Sequence, residues 1–132
     1  MGSVIGRRVE RLSAVEPVRR GDIWMVDFSV PVGAEAAYRR PAVVASNNGA
    51  NQSATTLKRG VVAVVPVTSN VRKIYPFQVR LPARACGLPH DSKAQAEQIR
   101  AVAIERLYSR VGRVPPRIMN EIDDALRLHL GL

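Results

Sequence analysis

Val61-Val62-Ala63-Val64-Val65-Pro66-Val67 contains no polar side chain. So short a run of β-branched residues suits a strand, and with no polar face it has to be covered on both sides. Pro66 falls near its end, where a missing N–H is tolerable. The run therefore predicts the central strand of the fold, and it leads directly into the polar turn Thr68-Ser69-Asn70. Two earlier stretches share this layout of a polar or basic turn beside a short apolar strand. Arg19-Arg20-Gly21-Asp22 opens Ile23-Trp24-Met25-Val26-Asp27-Phe28, and Tyr38-Arg39-Arg40 opens Pro41-Ala42-Val43-Val44-Ala45-Ser46. In the first strand Trp24, Val26 and Phe28 fall on one face and Ile23 and Met25 on the other, so both faces are expected to be covered. In the second, Pro41 biases Arg40 towards extended backbone, at a strand entrance.

Working outward, Ser29 to Arg40 contains Pro31 and Gly33 and reads as a long loop. Asn47 to Gly60 is rich in Asn, Ser, Thr and Gly and reads as a mobile connection. Phe77, Val79 and Leu81 alternate with Gln78 and Arg80, the pattern of a half-buried strand. Lys93 to Leu107 is ambiguous, since Lys93 to Ala101 has helix-favouring composition. The last element is a helix: Pro116 suits a first turn, and Ile118, Ile122, Ala125, Leu126 and His129 recur at i, i+3 and i+4 spacing. On that stripe His129 is expected to pack, and Gly131 reads as the stop. Residues 1–18 read as an appendage in which Ile5, Val9 and Leu12 have helical spacing.

The totals bound the possibilities. A chain of 132 residues that is 46% hydrophobic fits one folded domain. The net charge of +9 favours a polyanionic partner, and 17 of the 20 basic residues are Arg, whose planar fork matches phosphate. A GC-rich coding bias would explain the Arg:Lys ratio but not the charge excess. Cys86 is the single cysteine. It has no disulfide partner and no neighbours at zinc-ligand spacing, and it reads as a small surface or half-buried residue in a reducing compartment. No apolar run approaches the roughly 20 residues of a membrane span. Arg7, Arg8 and Arg11 are not followed by an apolar region, so the start does not read as a signal peptide, and a cytoplasmic protein is expected.

The three strand-and-turn stretches, in this order and spacing, together resemble the MazF/PemK family of bacterial toxins, from about Arg19 to Leu132. The resemblance implies a mostly β, α+β fold: a small, partly open SH3-like barrel with a C-terminal helix, assembled as a homodimer. It resolves Lys93 to Leu107 as strand, with Ala94, Ala96, Gln98 and Arg100 on one face. It implies a metal-independent endoribonuclease that cuts single-stranded RNA, needs no cofactor, and is restrained by a cognate antitoxin with an acidic, disordered segment.

RNA carries its own nucleophile, the ribose 2′-OH, so the protein's task is alignment and stabilisation of phosphoryl charge. By resemblance Arg40 and Thr68 carry that task, one as a charged fork and one as a neutral hydroxyl. Glu35 stands in Gly33-Ala34-Glu35, where many relatives have a serine before the glutamate. It is an RNA-groove candidate and equally an ordinary loop carboxylate. Arg39, Ser69, Asn70 and Gln98 are further RNA-binding candidates, with surface, turn or packing roles as alternatives. Tyr38 and Tyr75 sit in expected loops and can stack on unpaired bases. No Asp/Glu/His cluster has metal-ligand spacing. His90 and His129 would have to share one groove for acid–base catalysis, which their surroundings do not favour.

Two other classes stay open on sequence. A gyrase poison of the CcdB class shares the barrel type, but such proteins end in Trp-Gly-Ile, whereas this chain ends Leu130-Gly131-Leu132 and has its one Trp at position 24. A basic nucleic-acid-binding module without catalysis would explain the charge alone.

Overall fold

The computed structural model describes residues 17–29, 32–35 and 38–132. The helix expected from Ile5, Val9 and Leu12 lies outside these residues. The described chain forms seven strands: β1 (Asp22–Asp27), β2 (Arg39–Val44), β3 (Val61–Thr68), β4 (Gln78–Leu81), β5 (Ser92–Gln95), β6 (Arg100–Ala103) and β7 (Leu107–Arg113). Three helices accompany them: α1 (Asn48–Leu57), α2 (Ala83–Cys86) and α3 (Pro116–Leu130). All neighbouring strands are antiparallel, and the order β4-β5-β3-β2-β1-β7, with β6 also on β3, leaves the sheet unclosed. The fold is mostly β with a C-terminal helix, as expected.

β3 is the strand on which the sheet turns. Along one edge it pairs first with β6, from Val61 to Val64, and then with β5, at Val67 and Thr68. Pro66 lies in the gap between these partners, where a strand tolerates a missing N–H. Both faces of β3 are covered. Val65 and Val67 pack with Ile23, Val43 and the α3 residues Ile118, Met119, Ile122 and Ala125. Val62 and Val64 pack with Trp24, Val26, Phe28, Ala42 and Val44. The alternation of Trp24 and Ile23 is thus a division between two cores, and full burial of each large side chain contributes about 1.5–3 kcal/mol. Val18 joins the second core, 2% exposed, and its N–H donates to Thr55 Oγ1 at 3.4 Å.

Arg19 to Asp22 is a structural turn. Gly21 adopts φ +92, and Asp22, 2% exposed, accepts from the Arg19 N–H and from Arg113, each at 3.0 Å. Arg20 pairs with Asp123 of α3 and donates to the Ala45 carbonyl, tying the turn to the last helix.

Several expectations need correction. Asn47 to Gly60 holds α1 and is not a mobile connection. Its apolar contribution to the core is Ala54 alone, so no hydrophobic stripe announces it. Polar contacts hold it instead: Asn47 Oδ1 caps the Ala50 N–H at 2.8 Å, and the fully buried Asn51 donates to the Ser46 carbonyl at 2.8 Å. Asn47→Ala should cost about 1 kcal/mol. Native-state hydrogen exchange across α1 will read this as faster opening of the helix, and unchanged protection there would show that the cap does not matter. The strand expected over Lys93 to Leu107 is broken by 3-10 turns at Ala96–Gln98 and Ile104–Arg106, so Arg100 turns away to the solvent and lies over Phe28, 5.4 Å from its ring centre. Cys86 is fully buried in the first core rather than at the surface or half-buried, and burial pushes its thiol pKa up. His129 is exposed, as are all residues from Arg127 to Leu132, so the last turn of α3 buries no side chain. No helix among the described residues is long and apolar enough to cross a membrane.

Candidate active site

At the end of β3 a cleft of about 290 Å³ opens, walled by Arg39, Arg40 and Pro41 on one side, Thr68 and Ser69 at the strand end, and Leu88, Pro89, His90 and Ser92 opposite. Its position follows from the register. β2 and β3 pair from Val44↔Val64 to Ala42↔Pro66. Carried two residues further, the same register sets Arg40 beside Thr68. Pro41 has no N–H to give to the β3 ladder, so pairing fails at this end and the strands part. A cation and a hydroxyl are left at adjoining strand ends without competing for the same ladder.

β5 supports both groups. Arg40 Nη1 donates to Gln95 Oε1 at a long 3.5 Å, which leaves most of the guanidinium's donors for a ligand. Thr68 pairs with Lys93 across β3 and β5. Its Oγ1 accepts from the Asn70 N–H at 3.2 Å and so keeps its own hydrogen to donate. Arg40 and Thr68 are half-buried, enough to fix them and still reach a substrate.

The structure brings four sequence candidates to this cleft: Arg39, Arg40, Thr68 and Ser69. Arg39 is also anchored, its guanidinium 5.2 Å from the Tyr108 ring centre. The others lie elsewhere. Glu35 Oε1 accepts from the Val32 N–H at 2.8 Å, closing its own loop. Tyr38 is 62% exposed with φ +50, and its backbone bonds to Ser29 and Phe28. Asn70 shapes the turn, its Oδ1 accepting from the Arg72 N–H at 3.2 Å. Gln98 donates to the Ala34 carbonyl at 2.8 Å and tethers the 32–35 loop. Tyr75 stacks on Phe77. His90 and Ser92, which the sequence reading left without a role, do reach the cleft, with Ser92 Oγ donating to the His90 carbonyl at 2.9 Å. The signal for them was present: Pro89-His90-Asp91 is another polar turn directly before a strand. Among the described residues no group of three or more His, Cys, Asp or Glu could hold a metal ion.

Residues 19–130 match the PemK-like, MazF-like toxin of type II toxin-antitoxin system. The chain belongs to this family. The toxin is 56% identical over 115 residues to Endoribonuclease MazF9 of Mycobacterium tuberculosis (strain ATCC 25618 / H37Rv), covering 87% of this chain and 98% of that one. Its fold superposes on the crystal structure of MazF (Form-I) from Deinococcus radiodurans with a TM-score of 0.73 at 26% identity, covering 89% of the toxin and 100% of that chain. It is also similar to an endoribonuclease solved in complex with its cognate antitoxin from Mycobacterial species, with a TM-score of 0.67 at 25% identity, covering 86% and 95% of the two chains. These matches do not favour a gyrase poison or a non-catalytic module.

Proposed function

We propose that the cleft between β2 and β3 cleaves single-stranded RNA at selected short sequences without a metal ion. The chain is the endoribonuclease toxin of a type II toxin–antitoxin system, and its activity stops translation and growth. The observation that carries the site assignment is the meeting of Arg40 and Thr68 at one cleft, with Gln95 and Lys93 of β5 beside them. In the reaction the ribose 2′-O bonds to phosphorus and the P–O5′ bond breaks. The 2′-OH loses its proton and the leaving O5′ gains one, giving a 2′,3′-cyclic phosphate and a 5′-OH end. Negative charge on the non-bridging oxygens grows in the transition state. The Arg40 fork and the Thr68 hydroxyl donate to those oxygens, where fixed donors act most strongly. A guanidinium keeps its proton, so Arg40 acts through charge rather than as a base. Arg39 and Ser69 line the path of the strand. Glu35, Tyr38, Asn70, Tyr75 and Gln98 act around the groove, as loop-shaping groups or contacts to flanking nucleotides.

The reading includes a toxin domain over residues 19–132 with an N-terminal extension over 1–18 whose last residue, Val18, is part of the domain's second core, a homodimeric assembly, and a cytoplasmic location, where the RNA is. The direct test is incubation of the purified protein with a mixed RNA pool in EDTA, with the ends mapped by sequencing. Cuts at one short motif bearing 5′-OH ends are expected, and intact RNA from folded protein would sink the reading.

A cognate antitoxin with an acidic, disordered segment would occupy the same basic cleft. With a net charge of +9 on the toxin, the complex should weaken as salt rises and should exclude RNA. Anisotropy titrations with labelled uncleavable RNA across a salt series check this, and a stable ternary complex would contradict it.

A further inference from the structure

Lys93 is a buried lysine that the chemistry above does not use. It is 8% exposed, and an ammonium is buried only when something specific compensates its lost hydration. Here Nζ donates to the carbonyl of Lys73 at 2.6 Å. Lys73 lies in the connection between β3 and β4, which begins at Thr68 and returns to the sheet at Gln78. Lys93 therefore ties the middle of this connection to the β5 position paired with Thr68.

The tied segment presents an aromatic ring. Tyr75 is 42% exposed and stacks on Phe77, with centroids 5.4 Å apart and planes 7° from parallel. Two ammonium groups lie over the ring: Lys73 Nζ at 4.7 Å and Lys93 Nζ at 5.9 Å from its centre, and the Lys73 side chain is exposed. Its backbone is held at both polar atoms. The Tyr75 N–H donates to Gln78 Oε1 at 3.1 Å, and the Tyr75 carbonyl accepts from the Gln78 N–H at 2.8 Å. Gln78 is held in turn, donating to Glu97 Oε2 at 2.7 Å. A surface tyrosine needs none of this support. A ring backed by a second ring and fixed at its backbone, with an exposed Lys73 ammonium over it that an arriving base displaces towards its own phosphate, is a platform for a nucleotide.

We infer that Tyr75 stacks on the base next to the cleaved phosphate, that Lys73 contacts the phosphate of that nucleotide, and that Lys93 is the positioning residue that holds the platform beside Thr68. This assigns a specificity-determining subsite and rests on the ribonuclease reading. Packing alone does not require an amine at position 93, since a methionine would fill the same space without a desolvation cost.

The test compares wild type, Tyr75→Leu, Lys93→Met, Lys93→Arg and the Tyr75→Leu/Lys93→Met double variant on a randomised single-stranded RNA pool in EDTA, reading base preference at every position around the cut together with kcat and KM. Tyr75→Leu should keep the 5′-OH product and kcat, raise KM about tenfold, and flatten the preference at one flanking position. Lys93→Met should flatten the same position, with the double variant no worse than the worse single one, because the two residues act as a unit. Lys93→Arg retains a donor for the Lys73 carbonyl and should recover part of the preference. An unchanged preference in folded Tyr75→Leu would overturn the inference. So would a Lys93→Met protein that melts earlier but reads the flanking base as wild type does. If Lys93→Met does not fold, Tyr75→Leu and Lys93→Arg still decide. If wild type leaves all RNA intact, the ribonuclease reading is what fails, and loss of affinity of Tyr75→Leu for a 2′-deoxy analogue then decides the platform separately.

Discussion

Arg40→Ala should slow RNA cleavage by about 10²–10³-fold while the protein stays folded. The loss is expected in kcat more than in KM, because the guanidinium's main partner is charge that appears on the phosphoryl oxygens as the P–O5′ bond breaks. The fold should survive because Arg40 is half-buried and its protein partner is the long 3.5 Å contact with Gln95, not a core contact. Arg40→Lys separates charge from geometry. A point charge without the fork should recover only part of the rate. Thr68→Ala should fall short of the Arg40→Ala loss, since a neutral hydroxyl contributes about half as much as a charged donor. Single-turnover cleavage of one mapped substrate gives these rates, and binding of its 2′-deoxy analogue gives the affinity. If affinity falls tenfold and the rate of the bound substrate is untouched, Arg40 is a binding residue and the transition-state role is lost.

Gly112→Ala should cost about 3 kcal/mol, near the upper end of the usual overpacking range. Gly112 sits in β7 against the backbone of Cys86, the last residue of α2. A Cβ built there would overlap the Cys86 carbonyl oxygen and touch Ile23 Cδ1 at 3.4 Å. The overlapping group is backbone, which cannot swing aside, so β7 and α2 would have to part. That movement would loosen the packing of Cys86 and Ile23 in the first core. For a domain of this size the melting temperature should drop by roughly 10 °C. Gly33→Ala is the control: its φ of +60 strains a side chain, but nothing lies within 4 Å of the added atom. Its cost should stay near 1 kcal/mol. Chemical denaturation of both variants checks the pair, and equal losses would mean that the close approach at Gly112 is not what the position requires.

Where one periodicity dominated, the sequence was readable. Val61 to Val67 has no polar face, and it became the strand covered on both sides. Ile118, Ile122 and Ala125 lie 3 to 4 residues apart and face the first core from α3. α1 was missed for the opposite reason. Its stability comes from Asn47, Asn51 and Thr55 bonding to backbone groups, and such residues look the same in a loop. Cys86 reads from sequence as a surface or half-buried residue because nothing local shows that β7 packs against it. His129 continues an apolar spacing, but burial along α3 stops at Ala125 and its last turn is exposed on every side.

The sequence by itself determined the central strand, the two-sided burial of β1, the terminal helix, and the strand ends at which Arg40 and Thr68 stand. These are local properties: side-chain alternation, a proline after Arg40 and a polar turn after the Val-rich run. Only the tertiary structure decided that those ends meet at one cleft, that His90 and Ser92 join them, and that Lys93 reaches the Lys73 carbonyl. Those facts depend on antiparallel register between strands far apart in the chain. Register is set by the packing of two cores at once, and that information is spread over the whole sheet rather than written in any one segment.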